Sequence, residues 1–202
     1  MKNKTILFII CLILVITSCV SISKEAPKKR FFIIEADTSK IKKSSSFKFS
    51  KLKIQKLKIS PNYEGREFVY RKDLDFESDF YNQFMVSPPT NVTEQVIQWI
   101  NESKLSEVIT NRLSSSDSSL YLDGNINLLY ADFSLGKIHS ILEIEFYLSD
   151  NIKDKILFKK VYTKKIAAPD KDPVSIVRSW NQALTEILIS LEADLREVVI
   201  SF

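Results

Sequence analysis

The sequence predicts an α+β fold: a largely antiparallel sheet with two main helices packed on it, the second of them long and C-terminal. Three observations predict it. From residue 120 to 162, three successive segments alternate apolar with polar residues, and turn-forming residues separate them. Two other stretches, about 91–102 and 174–199, repeat apolar residues at helical spacing. Residues 30–202 are long enough to bury one core and show no internal repeat.

The elements follow in order. Arg30 to Glu35 (RFFIIE) reads as a short first strand, and the Ser- and Lys-rich residues 36–46 as a loop. Phe47 to Ile59 alternates apolar residues with Lys, but the parity slips after Phe49 and again after Ile54. This fits one long strand with bulges or two strands meeting at a bend, and its lysines suit an edge strand protected from pairing with other chains. Pro61 to Gly65 forms a turn. Phe68 to Arg71 is a short strand. Asp75 to Phe84 is an aromatic-rich strand that Ser87-Pro88-Pro89 ends, because proline cannot donate to a ladder. Asn91 and Glu94 have the spacing of a capping box before Val92, Val96, Trp99 and Ile100, so a helix is expected over 91–102, with a further turn or two near 105–110.

The meander comes next. Leu120, Leu122, Ile126, Leu128 and Tyr130 share one parity, as do Ile138, Leu142, Ile144, Phe146 and Leu148. Ile156, Phe158 and Tyr162 share a face of the third strand. Residues 134–137 and Asp150-Asn151 sit where hairpin turns are needed. Asp172-Pro173 opens the last helix with a capping carboxylate and a proline in its first position. Its apolar stripe, Val177, Trp180, Leu184, Ile187, Leu191 and Leu195, fits the sheet-facing side of a core helix or a coiled-coil seam between subunits.

The N-terminus carries an address. Lys2 and Lys4 precede an apolar run from Ile6 to Ile16, too short for the ~20 residues of a bilayer-spanning helix. Ile16-Thr17-Ser18-Cys19 then reads as a lipobox: an aliphatic residue, two small residues and the Cys that receives lipid. Cys11 lacks small residues before it. Residues 1–18 are thus expected to be a lipoprotein signal peptide, residues 19–29 a lipidated N-terminus and tether, and 30–202 a single periplasmic domain. Val20, in place of Asp, favours sorting to the outer membrane.

Composition then excludes several function classes. Loss of residues 1–18 removes Lys2 and Lys4, so Lys+Arg falls from 29 to 27 against 25 acids, which leaves no electrostatic case for nucleic acid. With Cys11 discarded and Cys19 lipidated, the domain has no cysteine for a disulfide or a metal site. Three glycines argue against a glycine-rich phosphate loop. The lone histidine, His139, has no partner from which to build a triad or metal site, and it alternates away from Ile138 and Leu142. Glu143 and Glu145 alternate with apolar residues and read as a solvated face. Asp73, Asp75, Glu77 and Asp79 form an acidic strip without calcium-loop spacing. No catalytic set or cofactor is expected.

The aromatics carry the remaining signal. Tyr63, Phe68, Tyr70, Phe76, Phe80, Tyr81 and Phe84 fall within 22 residues of one another. Alternation sends about half of them to the core, and the rest suit a protein partner or acyl chains.

The ordered pieces resemble the ABC-type transport auxiliary lipoproteins, the PqiC-like family, over residues 30–198. Arg30-Phe31-Phe32-Ile33-Ile34 is similar to the family's basic-aromatic opening, and Leu57 to Tyr63 to its strand-to-Pro-to-Tyr turn. Phe68-Val69-Tyr70-Arg71 resembles its Val-Tyr-Arg strand. Phe80 to Phe84, closed by Pro88-Pro89, resembles its Tyr-rich strand, although Phe84 stands where the family has Trp. The resemblance implies a non-enzymatic, outer-membrane-anchored subunit that works with MCE-domain and ABC transporter components on lipids or hydrophobic molecules. A lipid carrier and an envelope-assembly scaffold are the alternatives. The expected contacts are the membrane through Cys19 and protein partners through Tyr63, Tyr70, Arg71, Tyr81 and Phe84, with lipid and a second copy of the chain as further candidates.

Overall fold

In the computed structural model, residues 27–110 and 118–199 are described. Cys19, the expected signal peptide and most of the expected tether lie outside them. The strands are β1 (Arg30–Phe32), β2 (Phe49–Ile54), β3 (Lys58–Ile59), β4 (Glu67–Lys72), β5 (Asp75–Phe84), β6 (Ser106–Thr110), β7 (Leu120–Asp132), β8 (Ile138–Asp150) and β9 (Lys155–Ala168). The helices are α1 (Pro88–Glu102) and α2 (Pro173–Glu197). All nine strands join one mixed sheet, and both helices contribute to the core on one of its faces.

Strand β7 organises that sheet. One side pairs antiparallel with β8 along nearly its whole length, and β8 pairs antiparallel with β9, giving the predicted meander. Its other side takes three short strands in succession, all parallel to it: β2 at Tyr121 and Leu122, β3 at Asn125 and Ile126, and β4 at Ala131 and Asp132. The parity slip after Ile54 therefore marks the break between two strands laid end to end, while the one after Phe49 falls inside β2. Leu57, in the break between them, is buried over Gly124, where an added Cβ would stand 3.3 Å from the leucine and 3.0 Å from the Glu145 carbonyl oxygen. A side chain there would force these layers apart.

Four expectations need correction. Strand β2 lies between β7 and β6, so its lysines do not guard an edge. Residues 106–110 form a strand parallel to β2 instead of a helical turn. The helix ends because Lys104 turns left-handed, with φ 54°. The Leu105 amide then donates to the Ile100 carbonyl and the Lys104 amide to Asn101, the paired bonds of a Schellman motif. β-branched Val108, Ile109 and Thr110 then favour extension. The α1 capping box is absent, because the helix starts earlier, with Pro88 and Pro89 in its first positions. Asn91 thereby lies within the first turn, and its side-chain oxygen accepts from the Ile34 amide instead. Finally, the β7–β8 register shifts between Ile126 and Leu128. The extra residue flips the parity, sending Leu129 and Ala131 into the core and leaving Leu128 half-buried.

The predicted α2 start is present: the Asp172 side chain accepts from the Val174 amide. The stripe from Val177 to Leu195 is buried in the core, as the sheet-facing reading requires. Trp180 sits at the centre, against Phe68 at 5.0 Å edge-on and Phe84 at 5.6 Å, with its indole N–H donating to the Ile141 carbonyl. Trp99 of α1 donates across to Glu192 of α2 at 3.0 Å, and Arg196 pairs with the same carboxylate.

The segment after β1 runs in contact with both helices. The amides of Ile34 and Ala36 donate to Asn91 and Gln95 of α1, and those of Glu35 and Asp37 donate to Asn181 and Thr185 of α2. An extended chain points successive N–H groups to opposite sides. Each helix meets its two amides with polar side chains four residues apart, one turn along its face. This strap satisfies four backbone donors without a neighbouring strand.

Candidate functional site

Strand β5 carries the exposed aromatics, and an irregularity in its pairing explains why. Phe68 of β4 pairs with Asp79, but the preceding Glu67 pairs with Gln83. Residues Phe80, Tyr81 and Asn82 are thus looped out of the β4 ladder as a wide bulge. Asp79 organises it. Its carboxylate accepts from the amides of Tyr81 and Asn82, from the Asn82 side chain at 2.7 Å and from the Tyr70 hydroxyl at 2.8 Å. Burial acts to raise the Asp79 pKa, but the Asn82, Tyr70 and backbone hydrogen bonds outweigh it and hold the carboxyl below its usual range. Tyr70 moves the other way: burial first, then the Asp79 hydrogen bond, push its hydroxyl far up. A bulge re-aims side chains, and here Phe80 is left 60% exposed and Tyr81 41% exposed.

The outer side of β5 is open at its hairpin end. β1 covers only Asn82 to Phe84, so from Asp75 to Tyr81 β5 has no neighbouring strand on that side among the described residues. Leu74, in the hairpin turn, is 90% exposed, and Phe76 is 55% exposed. Such an edge offers unpaired amides and carbonyls with apolar side chains beside them.

The sequence-predicted contacts divide into two groups. Tyr81 is at the surface by the bulge, whereas Arg71 lies at the hairpin end opposite Phe76, its Nε donating to the Asp73 carbonyl and its guanidinium 6.0 Å from the Phe76 ring centre. Tyr70 is half-buried under the bulge, edge-on to Phe133. Tyr63 and Phe84 are buried and offer no surface contact. Tyr63 stacks on Tyr130 at 6.1 Å, with Phe76 edge-on to the same ring, and burial raises its pKa. Phe84 packs 4.7 Å from Phe68, in the core. A cavity of about 260 Å³ opens beside this cluster, lined by Asn62, Tyr63, Val69, Phe76, Glu77 and Ser78.

Sequence reasoning missed Phe80, Phe76 and Leu74 as individual contacts, and it missed the margin beside β1. There Lys29 lies over the Phe80 ring at 3.8 Å, and Arg66 lies over Phe31 at 5.6 Å. The signal for Phe80 was available in the pairing capacity of Asp79 with Asn82, three residues apart.

The polar face of the meander is structural. Glu145 pairs with Lys159 at 3.1 Å and accepts from Tyr147, while Glu143 accepts from Asn127 and Thr163. Among the described residues no group of three or more His, Cys, Asp or Glu is arranged to hold a metal. None of the described helices is long and apolar enough to cross a membrane.

No family model matches the sequence, and no curated protein matches it either. Solved structures do match the fold. Protein XCC0632 from Xanthomonas campestris, described under the family model DUF330, superposes with a TM-score of 0.71 at 10% identity, covering 81% of this chain and 92% of that one. An uncharacterized protein gives 0.63 at 9% identity, over 83% and 99% of the two chains. The hypothetical protein CT253 from Chlamydia trachomatis gives 0.53 at 6% identity, over 73% and 98%. At these identities the likeness is one of fold: the chain shares the architecture of a DUF330 protein.

Proposed function

We propose that this chain is an envelope lipoprotein, anchored through Cys19 at the periplasmic face of the outer membrane. It serves as a non-catalytic auxiliary subunit of an ABC/MCE-type system that moves lipids or hydrophobic molecules. The observation that carries the docking role is the open hairpin end of β5, with Leu74 and Phe76 exposed beside an unpaired strand edge. A partner strand can add to that edge through main-chain hydrogen bonds, while the apolar side chains provide anchors. The lipobox and the family-like order of the pieces support the proposed location and class of partner. The alternative of a lipid carrier is less favoured, because Trp99, Trp180, Phe49, Phe68 and Phe146 fill the space between sheet and helices. The cavity beside Tyr63 is only about 260 Å³, and a larger one of about 540 Å³ against α2 is lined mostly by charged side chains, Lys40, Lys42, Glu192 and Arg196, which do not suit an acyl chain.

Affinity purification from detergent-solubilised envelopes tests this. The full-length lipoprotein as bait is expected to recover MCE-domain and ABC transporter components. Leu74→Asp combined with Phe76→Ser should cut that recovery at least tenfold. Recovery of neither class by the wild-type bait overturns the transport reading. Separately, Cys19→Ala is expected to abolish acyl labelling and leave an unprocessed precursor; labelling equal to wild type overturns the anchor.

A further inference from the structure

The tether enters the domain at the bulge. Lys29, its last residue, sits over Phe80. From there β1 runs parallel to the end of β5, with Phe31 paired to Gln83 and the Met85 amide donating to the Phe32 carbonyl. This pairing lines up one strip along the sheet margin. Phe31, Ile33, Phe80, Tyr81 and Met85 in it are each between 41% and 60% exposed. Phe32 and Phe84, on the alternate positions, face the core. The strip carries cations on its rim: Lys29 and Arg66 lie over its rings, and Lys28 beside them is exposed. Three carboxylates near it accept hydrogen bonds from within the fold. Asp79 holds the bulge, Glu67 accepts from Gln83, and Asp172 pairs with Arg30 while capping α2.

Exposed aromatic and aliphatic side chains rimmed by Lys and Arg match the boundary between phospholipid headgroups and acyl chains. Rings insert at headgroup depth, and the cations meet anionic phosphates. The covalent geometry puts such a surface within reach. Lys29 is ten Cα steps along the chain from Cys19, so the strip can stand no more than ~35 Å from the anchor.

We propose that this β1–β5 strip lies on the phospholipid bilayer as a second membrane contact beside the lipid, a reading that rests on lipidation of Cys19. The contact fixes how the domain stands. The hairpin end with Leu74 is ~20 Å along β5 from Phe80, so the edge offered to a partner is distinct from the surface laid on the bilayer.

The test uses the full-length, acylated protein purified from membranes and placed in phosphatidylethanolamine/phosphatidylglycerol vesicles. Cys19 is consumed by lipid, so a single introduced cysteine carries a nitroxide without competition. Met85→Cys reports on the strip, and Ile156→Cys, on β9 at the far edge of the sheet, reports on bulk solvent. The nitroxide at 85 is expected to collide with oxygen more often, and with a water-soluble nickel complex at least fivefold less often, than that at 156. Adding Phe31→Ser and Phe80→Ser should erase the difference while acyl labelling stays intact. Equal nickel accessibility at 85 and 156 in acylated protein overturns the bilayer contact and leaves the anchor standing. A nitroxide at 85 shielded from both oxygen and nickel marks a protein surface there and overturns it too. Absence of acyl label overturns the anchor and this contact together.

Discussion

At Asp79 one carboxylate accepts four hydrogen bonds and keeps three residues out of a ladder they would otherwise extend. Its folded pKa lies below the ordinary 3.8, so its contribution to stability is full above that value and drains away as pH falls through the lower folded value. Acidification below pH 3.8 should therefore loosen the bulge before the core. Amide exchange at Tyr81 and Asn82 is expected to accelerate there in the wild type. In Asp79→Ala it should already be fast at neutral pH, with a global loss of about 1–3 kcal/mol in urea melts. An unchanged exchange profile in the variant counts against this role. Residue chemistry was partly legible in the sequence. The outward face of Glu143 and Glu145 followed from alternation, but the fates of Tyr63 and Phe84 did not. Alternation places a side chain on one face or the other, yet only the packing of Tyr130 and Trp180 decides whether that face is covered.

Among the elements, the strap at residues 34–37 was the least legible. RFFIIE reads as a strand, and its first three residues are one. The next four amides find side chains on two helices about 57 and 146 residues away in sequence, a pairing no local pattern encodes. Asn91 was visible only as a helix cap, because Asn is the usual residue there and the two prolines were read as ending a strand. The strand does end before them, at Phe84, but they also begin the helix. Replacing Asn91 with Leu should leave the buried Ile34 amide unsatisfied and cost about 1–3 kcal/mol, measured by chemical denaturation. A loss below a few tenths of a kcal/mol would mean that the strap is held by other contacts. The end of α1 was hidden for a similar reason, since a Schellman turn is announced by glycine and here Lys104 takes the left-handed position.

Across the whole molecule, the meander and the long helix were legible because each element is 13 or more residues long, enough for its period to show even where a bulge flips the parity of β7. The parallel pairing of β2, β3 and β4 along β7 was not: each is six residues or fewer, and strand direction leaves no mark on alternation. What unites the two halves is Trp180, which touches rings from β4 and β5 and bonds to β8. Trp180→Ala is expected to cost about 3–5 kcal/mol and shift the urea midpoint accordingly; a near-neutral effect would show that these halves are stable apart. The path of the chain from β1 into the strap has a mechanical consequence. Hydrogen bonds from an extended segment run across its axis, so tension entering at Arg30 in line with the strand loads the β1 ladder and the four strap bonds in shear. They must give way as a group. Force drawn through the proposed tether is then spread over both helices and the sheet at once, and the domain resists being peeled from its N-terminal end.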